Sequence, residues 1–253
     1  MSIKKDTEYF MAKKMGRVIN RYGMIESGDR VLAAVSGGKD SYCMIRLLMR
    51  RREWLPVEYE IRAVHVISDY EKNSEKKAAK IKGLFDACGC ETDILNISIA
   101  DADKKGRENC FWCSWNRRKA IFDLAAEKGF NKVAFGHHKD DIAETVLMNL
   151  FFNGEISSIN PYQRLFDGRI TIIRPLVMFQ EKELAGLQKS YGVDPVESSC
   201  SRSGDSKRAL VRDVLRRLHR ESKDIKTNIL KAPSRIRTDY IPDLFGAGNG
   251  GAG

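Results

Sequence analysis

Three short segments of this chain carry residue types whose spacing points to chemistry. The first is Ser36-Gly37-Gly38-Lys39-Asp40-Ser41, set between an apolar run and a helical pattern. Two glycines let backbone approach a ligand closely. The N–H groups that open the following helix favour an anion, as does the helix dipole. Lys39 adds a point charge, and Ser36 and Ser41 add hydroxyls. The segment is a phosphate cradle, although the G-x-x-x-x-G-K-S/T spacing of a Walker loop is absent. The second is Cys110-Phe111-Trp112-Cys113, with Cys200 lying 87 residues beyond it. Three thiolates suit a soft metal centre. A closed structural zinc site wants four ligands, whereas three cysteines hold a 4Fe–4S cube and leave one iron open. On chemistry alone, three other readings stay open: zinc completed by His137 or His138, a Cys110–Cys113 disulfide with Cys200 as sulfur carrier, and three unrelated buried cysteines. The third is Gly136-His137-His138-Lys139-Asp140-Asp141, with Glu144 following on the same helical face. Clustered carboxylates of this kind hold Mg²⁺ beside a nucleotide phosphate, and an Asp at a helix start is also an ordinary cap.

These segments need elements to position them. Hydrophobic periodicity predicts strands near 31–35, 59–67, 92–97, 132–135 and 169–173. Helices are expected near 7–22, 40–52, 74–88, 110–128, 140–152 and 180–191, with basic helices over 206–231. Alternation of this kind implies βαβ units and a parallel sheet covered on both faces. Such sheets bind ligands at the carboxyl ends of their strands, near a switch in strand order, and motif-bearing segments fall at such ends here.

With those residues in place, the chain resembles the PP-loop ATP pyrophosphatases, whose pyrophosphate loop SGGKDS matches. GHHKDDIAET from Gly136 to Thr145, the Cys110-x-x-Cys113 pair, a distant Cys200 and the Arg174-Pro175-Leu176 strand end are similar to the tRNA 2-thiocytidine synthetase (TtcA-like) branch. The resemblance runs in order from about Ile19 to Asp213. It implies a doubly wound, five-stranded parallel sheet of the adenine nucleotide alpha hydrolase (HUP) type, with an N-terminal helix and a basic C-terminal helical extension. It implies ATP, Mg²⁺ and a 4Fe–4S cluster as cofactors, and a tRNA sulfurtransferase that adenylates the C2 oxygen of a base and replaces it with sulfur, as 2-thiocytidine at position 32. Carried residue by residue, it makes Asp140, Lys39, Asp40 and Arg117 catalytic. Ser36, Gly37, Gly38, Lys39, Asp40, Ser41, His65 and Gly136 become nucleotide contacts. Cys110, Cys113 and Cys200 become cluster ligands, and Asp141 a Mg²⁺ ligand. Arg117 and Arg118 would steady the RNA phosphate or the adenylate. Ser203 stands where relatives carry a further cysteine near Cys200. Alternatives on the same residues are another PP-loop tRNA modifier, a 2-thiouridine synthetase or lysidine-type ligase, and a non-catalytic Fe–S or RNA-binding regulator.

Composition sets the bounds. The chain has 253 residues, 42% hydrophobic and 31% charged, with a net charge of +10 and a mean hydropathy of −0.40. This excludes a membrane bundle and a disordered chain, and the mixed-charge N-terminus lacks the apolar core of a signal peptide. A cytoplasmic protein is expected. Between Arg202 and Arg237 twelve Lys and Arg face four Asp and Glu, so tRNA is the expected partner, gripped through residues such as Arg212 and Arg216. A sulfur donor such as a cysteine desulfurase and a homodimer are further expected partners. The domain reading is 1–28 as an N-terminal helical segment, 29–200 as the ATP-binding domain, 201–245 as the basic extension and 246–253 as a Gly-rich tail. Cys43, amid Met44 and Leu47, reads as core, and Cys88 and Cys90 as a helix-end turn.

Overall fold

The computed structural model describes residues 3–53, 56–69, 71, 74–98, 110–194, 196 and 207–240. Cys200, Ser203 and the Gly-rich tail lie outside these residues. The element order is α1 (Ile3–Tyr22), β1 (Arg30–Ala34), α2 (Lys39–Arg52), β2 (Glu60–Ser68), α3 (Ser74–Asp86), β3 (Thr92–Ile97), α4 (Cys110–Glu127), β4 (Lys132–Phe135), α5 (Lys139–Asn153), β5 (Tyr162–Leu165), β6 (Ile170–Ile173), α6 (Glu181–Tyr191), α7 (Lys207–Glu221) and α8 (Ile225–Lys231). The strands form one sheet in the order β3-β2-β1-β4-β6-β5.

All pairings are parallel except β5 with β6. Strand order reverses at β1, which pairs Arg30–Ala34 with Glu60–Val64 of β2 on one side. On its other side Val31–Ala34 pairs with Lys132–Phe135 of β4. The strands are apolar because both faces are covered. Alternate β1 residues serve opposite cores. Val31 and Ala33 join Ile45, Leu48, Ile81, Phe85 and Phe179 on one face. Leu32 joins Val64, Ile121, Leu124 and Val133 on the other.

The sheet has six strands rather than the five expected from hydrophobic periodicity. The additional strand, β5, is a short antiparallel edge, half-exposed along its length, and so lacks the continuous apolar run that marks its neighbours. The signal that periodicity passes over is Asp167-Gly168, a hairpin-turn dipeptide. Phe166 and Asp167 both take positive φ there, 53° and 56°.

The C-terminal helices are docked on the sheet domain. Val211 and Leu215 of α7 are buried against Ala143 and Leu147 of α5, and Ile225, Ile229 and Leu230 close the same cluster. The other face of α7 and α8 is basic. Arg216, Arg220, Lys223, Lys231 and Arg235 are exposed. Leu215→Ala is therefore expected to destabilise the whole molecule by about 2–5 kcal/mol in one cooperative urea transition. A transition split in two would show instead that the extension unfolds on its own.

Candidate active site at the strand-order switch

The site grows from the end of β1. Val35 N–H is still held by the Val64 carbonyl at 2.9 Å, and the chain then turns through Gly37 at φ +84°. A Cβ at Gly37 would lie 2.8 Å from the Ile81 side chain and 3.0 Å from Val196 Cβ, so nothing larger fits. Val196 N–H donates to the Gly37 carbonyl at 2.9 Å. Ser36 Oγ accepts the Gly38 N–H at 3.2 Å, and Ser41 Oγ donates to the Gly38 carbonyl at 2.9 Å. Gly38 is the N-cap of α2 and supplies no side chain. The first-turn N–H groups of α2 are thus left for an anion.

The charges around the loop are arranged in pairs. Lys39 Nζ lies 2.9 Å from Glu181 Oε1 and 3.4 Å from Asp40 Oδ2. Burial works against the ammonium, but Glu181 and Asp40 together hold its pKa above the usual lysine value. Asp40 is the opposite case. Burial outweighs His138 and Lys39 and raises its carboxyl pKa, and its Oδ1 is buried without a partner. That unused oxygen beside a phosphate loop fits a Mg²⁺ ligand. Asp141, the Mg²⁺ ligand expected from sequence, directs Oδ2 to the His138 N–H at 3.0 Å and closes the first turn of α5.

Strand β4 delivers the second half of the site. Gly136 lies against the start of α2, where an added Cβ would meet Asp40 C and Ser41 N at an ordinary 3.5 Å. His138 is buried among three carboxylates, 3.4 Å from Asp141 Oδ2, 3.7 Å from Asp40 Oδ2 and 3.7 Å from Asp140 Oδ2. Asp140 is buried, and both its oxygens are engaged. Oδ2 accepts the Glu181 N–H at 2.8 Å, and Oδ1 is bonded by Lys226 of α8. Burial pushes the Asp140 carboxyl up. The Lys226 bond, the Glu181 N–H and the Lys226 charge outweigh that and hold it below the usual carboxylate range. One turn on, buried Glu144 is clamped by Arg212 Nε at 2.8 Å and Arg208 Nε at 3.3 Å.

Arg212, expected from sequence to grip RNA, remains exposed while it pairs with a carboxylate of the sheet domain. Arg117, expected at the chemistry, is bonded to Glu71 and donates to Ser68 Oγ at 3.2 Å. Glu71 also takes Lys77 at 2.6 Å, so Arg117 shares a single carboxylate with a second cation just past the end of β2. His65 donates from Nδ1 to the Val35 carbonyl at 2.8 Å, with Nε2 sealed from solvent and unpartnered. It braces the strand end that becomes the loop.

Arg174, at the strand end that the sequence marks, is joined by residues that carry no motif. Arg174, 8% exposed, closes β6 with His137 and the Asn160 carbonyl as its partners. Burial and the neighbouring Arg118 lower its pKa to about 10. Burial, then the Arg174 charge, lower His137 to about 4. Glu181 and Lys226 carry no local motif, since only the tertiary fold brings them to Lys39 and Asp140. Cys113 is half-buried in the first turn of α4, beside a Trp112–Trp115 edge-to-face pair with ring centroids 5.7 Å apart. Among the described residues no group of three His, Cys, Asp or Glu side chains is placed to hold a metal. Cys43 and Cys90 are buried, and burial pushes both thiols up to about 12.

The chain that carries this glycine-turned phosphate loop and His-Lys-Asp-Asp turn matches a PP-loop domain over residues 8–218. The chain belongs to the PP-loop family. It is similar to the tRNA-cytidine(32) 2-sulfurtransferase of Pelobacter propionicus, 33% identical over 232 residues, covering 90% of this chain and 86% of the relative. A protein of the same name from Geobacter sulfurreducens is 34% identical, with 91% of each chain covered. Among solved structures, the U34-tRNA thiolase NcsA from Methanococcus maripaludis with its 4Fe–4S cluster superposes with a TM-score of 0.74 at 24% identity. It covers 93% of this chain and 82% of its own, and it shows the same PP-loop fold.

The depressed His137 gives a direct test. Its ring is expected to stay neutral from pH 8 down to about pH 5 in an NMR titration. The unfolded chain takes up that proton near pH 6.5. Stability is therefore complete above pH 6.5 and falls as the pH drops toward 4. In His137→Gln this part of the decline is expected to disappear.

Proposed function

We propose that this chain is an ATP-dependent, iron–sulfur-dependent tRNA sulfurtransferase that forms 2-thiocytidine, with position 32 as its target. The observation that carries the reading is the meeting of the Ser36–Ser41 cradle with Asp140 across the β1–β4 crevice, one sheet edge shared with the CxxC that opens α4. In the reaction, the C2 oxygen of the base attacks the α-phosphate of ATP and pyrophosphate leaves. A sulfide then attacks C2, and the C–O bond breaks to release AMP.

The residues take these roles. The α2 N–H groups, Ser36, Ser41 and Lys39 hold the polyphosphate, with Gly37 and Gly136 leaving room for it. Asp40 offers its unused oxygen to Mg²⁺, beside Asp141. Asp140 orients the reacting groups and handles the proton. Arg118 makes no ion pair among the described residues and, beside Arg174, attracts the substrate phosphate. Arg117, held by Glu71, supports that wall. Trp115, 47% exposed, offers a ring on which an unstacked base can lie.

Cys110, Cys113 and Cys200 are the donors for a 4Fe–4S cluster, which supplies an open iron for a sulfide. The donor set fits. Two cysteines share the opening of α4, and Val196 is bonded to the loop only four residues before Cys200, a reach of at most about 14 Å. A cysteine desulfurase supplies the sulfur, and the working unit is a homodimer in the cytoplasm. No helix among the described residues is long and apolar enough to cross a membrane.

Mass spectrometry of nucleosides is the first test. tRNA incubated with the protein, ATP, Mg²⁺ and a sulfide source without oxygen is expected to gain 2-thiocytidine, and its absence would sink the reading. Anaerobically purified protein is expected to carry about one 4Fe–4S cluster per chain, and zinc without labile sulfide would contradict this. Lys39→Ala or Asp40→Ala is expected to abolish AMP release while tRNA affinity in filter binding persists.

RNA affinity is placed on the exposed face of the extension. Arg216→Glu with Arg220→Glu is expected to weaken tRNA binding broadly and flatten the log–log salt slope by about one to two units. An unchanged slope would remove this face from the RNA site.

A further inference from the structure

We propose that Lys226, carried on the C-terminal extension, is a positioning residue that holds the Asp140 carboxylate in its working orientation, so that the extension completes the active site. The inference rests on the assignment of Asp140 to the reaction made above. Lys226 lies far from every motif of the PP-loop domain in sequence, and the domain matched to the family ends at residue 218, before α8 begins.

The geometry is specific. Asp140 has two oxygens and two fixed donors, the Lys226 ammonium on Oδ1 and the Glu181 N–H on Oδ2. With both engaged, the carboxylate has one orientation, facing Asp40 across the buried His138 ring. Lys226 is itself held in place. Its neighbour Thr227 accepts a hydrogen bond from Lys139 Nζ at 2.8 Å, and Ile225 and Ile229 pack beside Ala143 and Leu147 of α5. Helix α8 is thus tied to α5 through residues on either side of Lys226.

The charge balance gives this contact its purpose. Asp40, Asp140 and Asp141 crowd one end of the crevice, and a nucleotide polyphosphate would add further negative charge there. Lys39 is shared with Glu181, Lys139 turns to Thr227, and Arg208 and Arg212 are committed to Glu144. Among the described residues, Lys226 is the ammonium bonded to Asp140. Without it, a buried carboxylate would keep one backbone donor and face two other acids.

The test uses the full chain with its cluster, comparing Lys226→Met, Lys226→Arg, Asp140→Asn and the Lys226→Met/Asp140→Asn double variant. Lys226→Met is expected to lower kcat for tRNA-dependent AMP release by about tenfold to a hundredfold, as loss of alignment does. KM and Kd for tRNA should stay within twofold, and Lys226→Arg should recover most of the rate. In the Asp140→Asn background, Lys226→Met should have little further effect. Urea midpoints should show the same non-additivity, and this reads the pairing even if the thiolation reading fails. A rise in tRNA Kd at unchanged kcat would make Lys226 an RNA contact and overturn the proposal. So would an equal loss of rate with and without Asp140, or additive midpoints.

Discussion

The active site depends on one constraint, the parallel pairing of β1 with β4 while β1 also pairs with β2. The chain must leave β1 toward one neighbour and β4 toward the other, so the two following turns diverge over a crevice that no backbone fills. The loop after β1 and the turn after β4 then face each other, with Gly136 close to the start of α2 and His138 beside Asp40. The pairing is secured by burial on both faces, because Leu32 and Val133 pack with α4 while Val31, Ala33 and Ala134 pack with the opposite layer. A polar residue at any of these positions would disturb the crevice as well as the core.

A second theme is how acids withdrawn from solvent are partnered. Asp40 and Asp140 lie in the first turns of α2 and α5, with Glu144 one turn further along α5, where desolvation favours the neutral form. The three are treated differently. Glu144 receives two guanidinium groups, Asp140 an ammonium and a backbone donor, and Asp40 keeps one oxygen unmatched. Complete compensation suits structural and orienting groups. Incomplete compensation marks the position where something else must bind, which separates Asp40 from its neighbours more clearly than sequence position does.

Much of this arrangement is legible in the order of the amino acids. The Ser36–Ser41 loop, the Asp140 helix start and the five parallel strands follow from local patterns, because glycines, caps and apolar alternation act over a few residues. Edge strand β5 is not legible, since an exposed four-residue strand buries too little to leave a pattern. Nor are Glu181 and Lys226, whose roles exist only through contacts between distant elements, while Arg174 is legible as a strand end but not as the partner of His137. By composition the basic run from Arg202 to Arg237 reads as a single RNA-gripping surface. Its charge divides by helix face instead, with Arg208, Arg212 and Lys226 turned to acids of the sheet domain and Arg216, Arg220 and Lys223 turned outward.

The docking of α7 and α8 also bears on how the molecule is made. Synthesis proceeds from the N-terminus at about 5–20 residues per second, so the whole sheet emerges from the ribosome before the helices that supply Arg208, Arg212 and Lys226. During that interval Glu144 and Asp140 lack those cations, and the apolar face of α5 around Ala143 and Leu147 is uncovered. A nascent chain halted before α7 would hold a nearly finished nucleotide crevice with unbalanced acids and a bare apolar strip, a form suited to chaperones rather than to ATP. The charge-balanced site is thus assembled only after α7 and α8 have followed the sheet out of the ribosome.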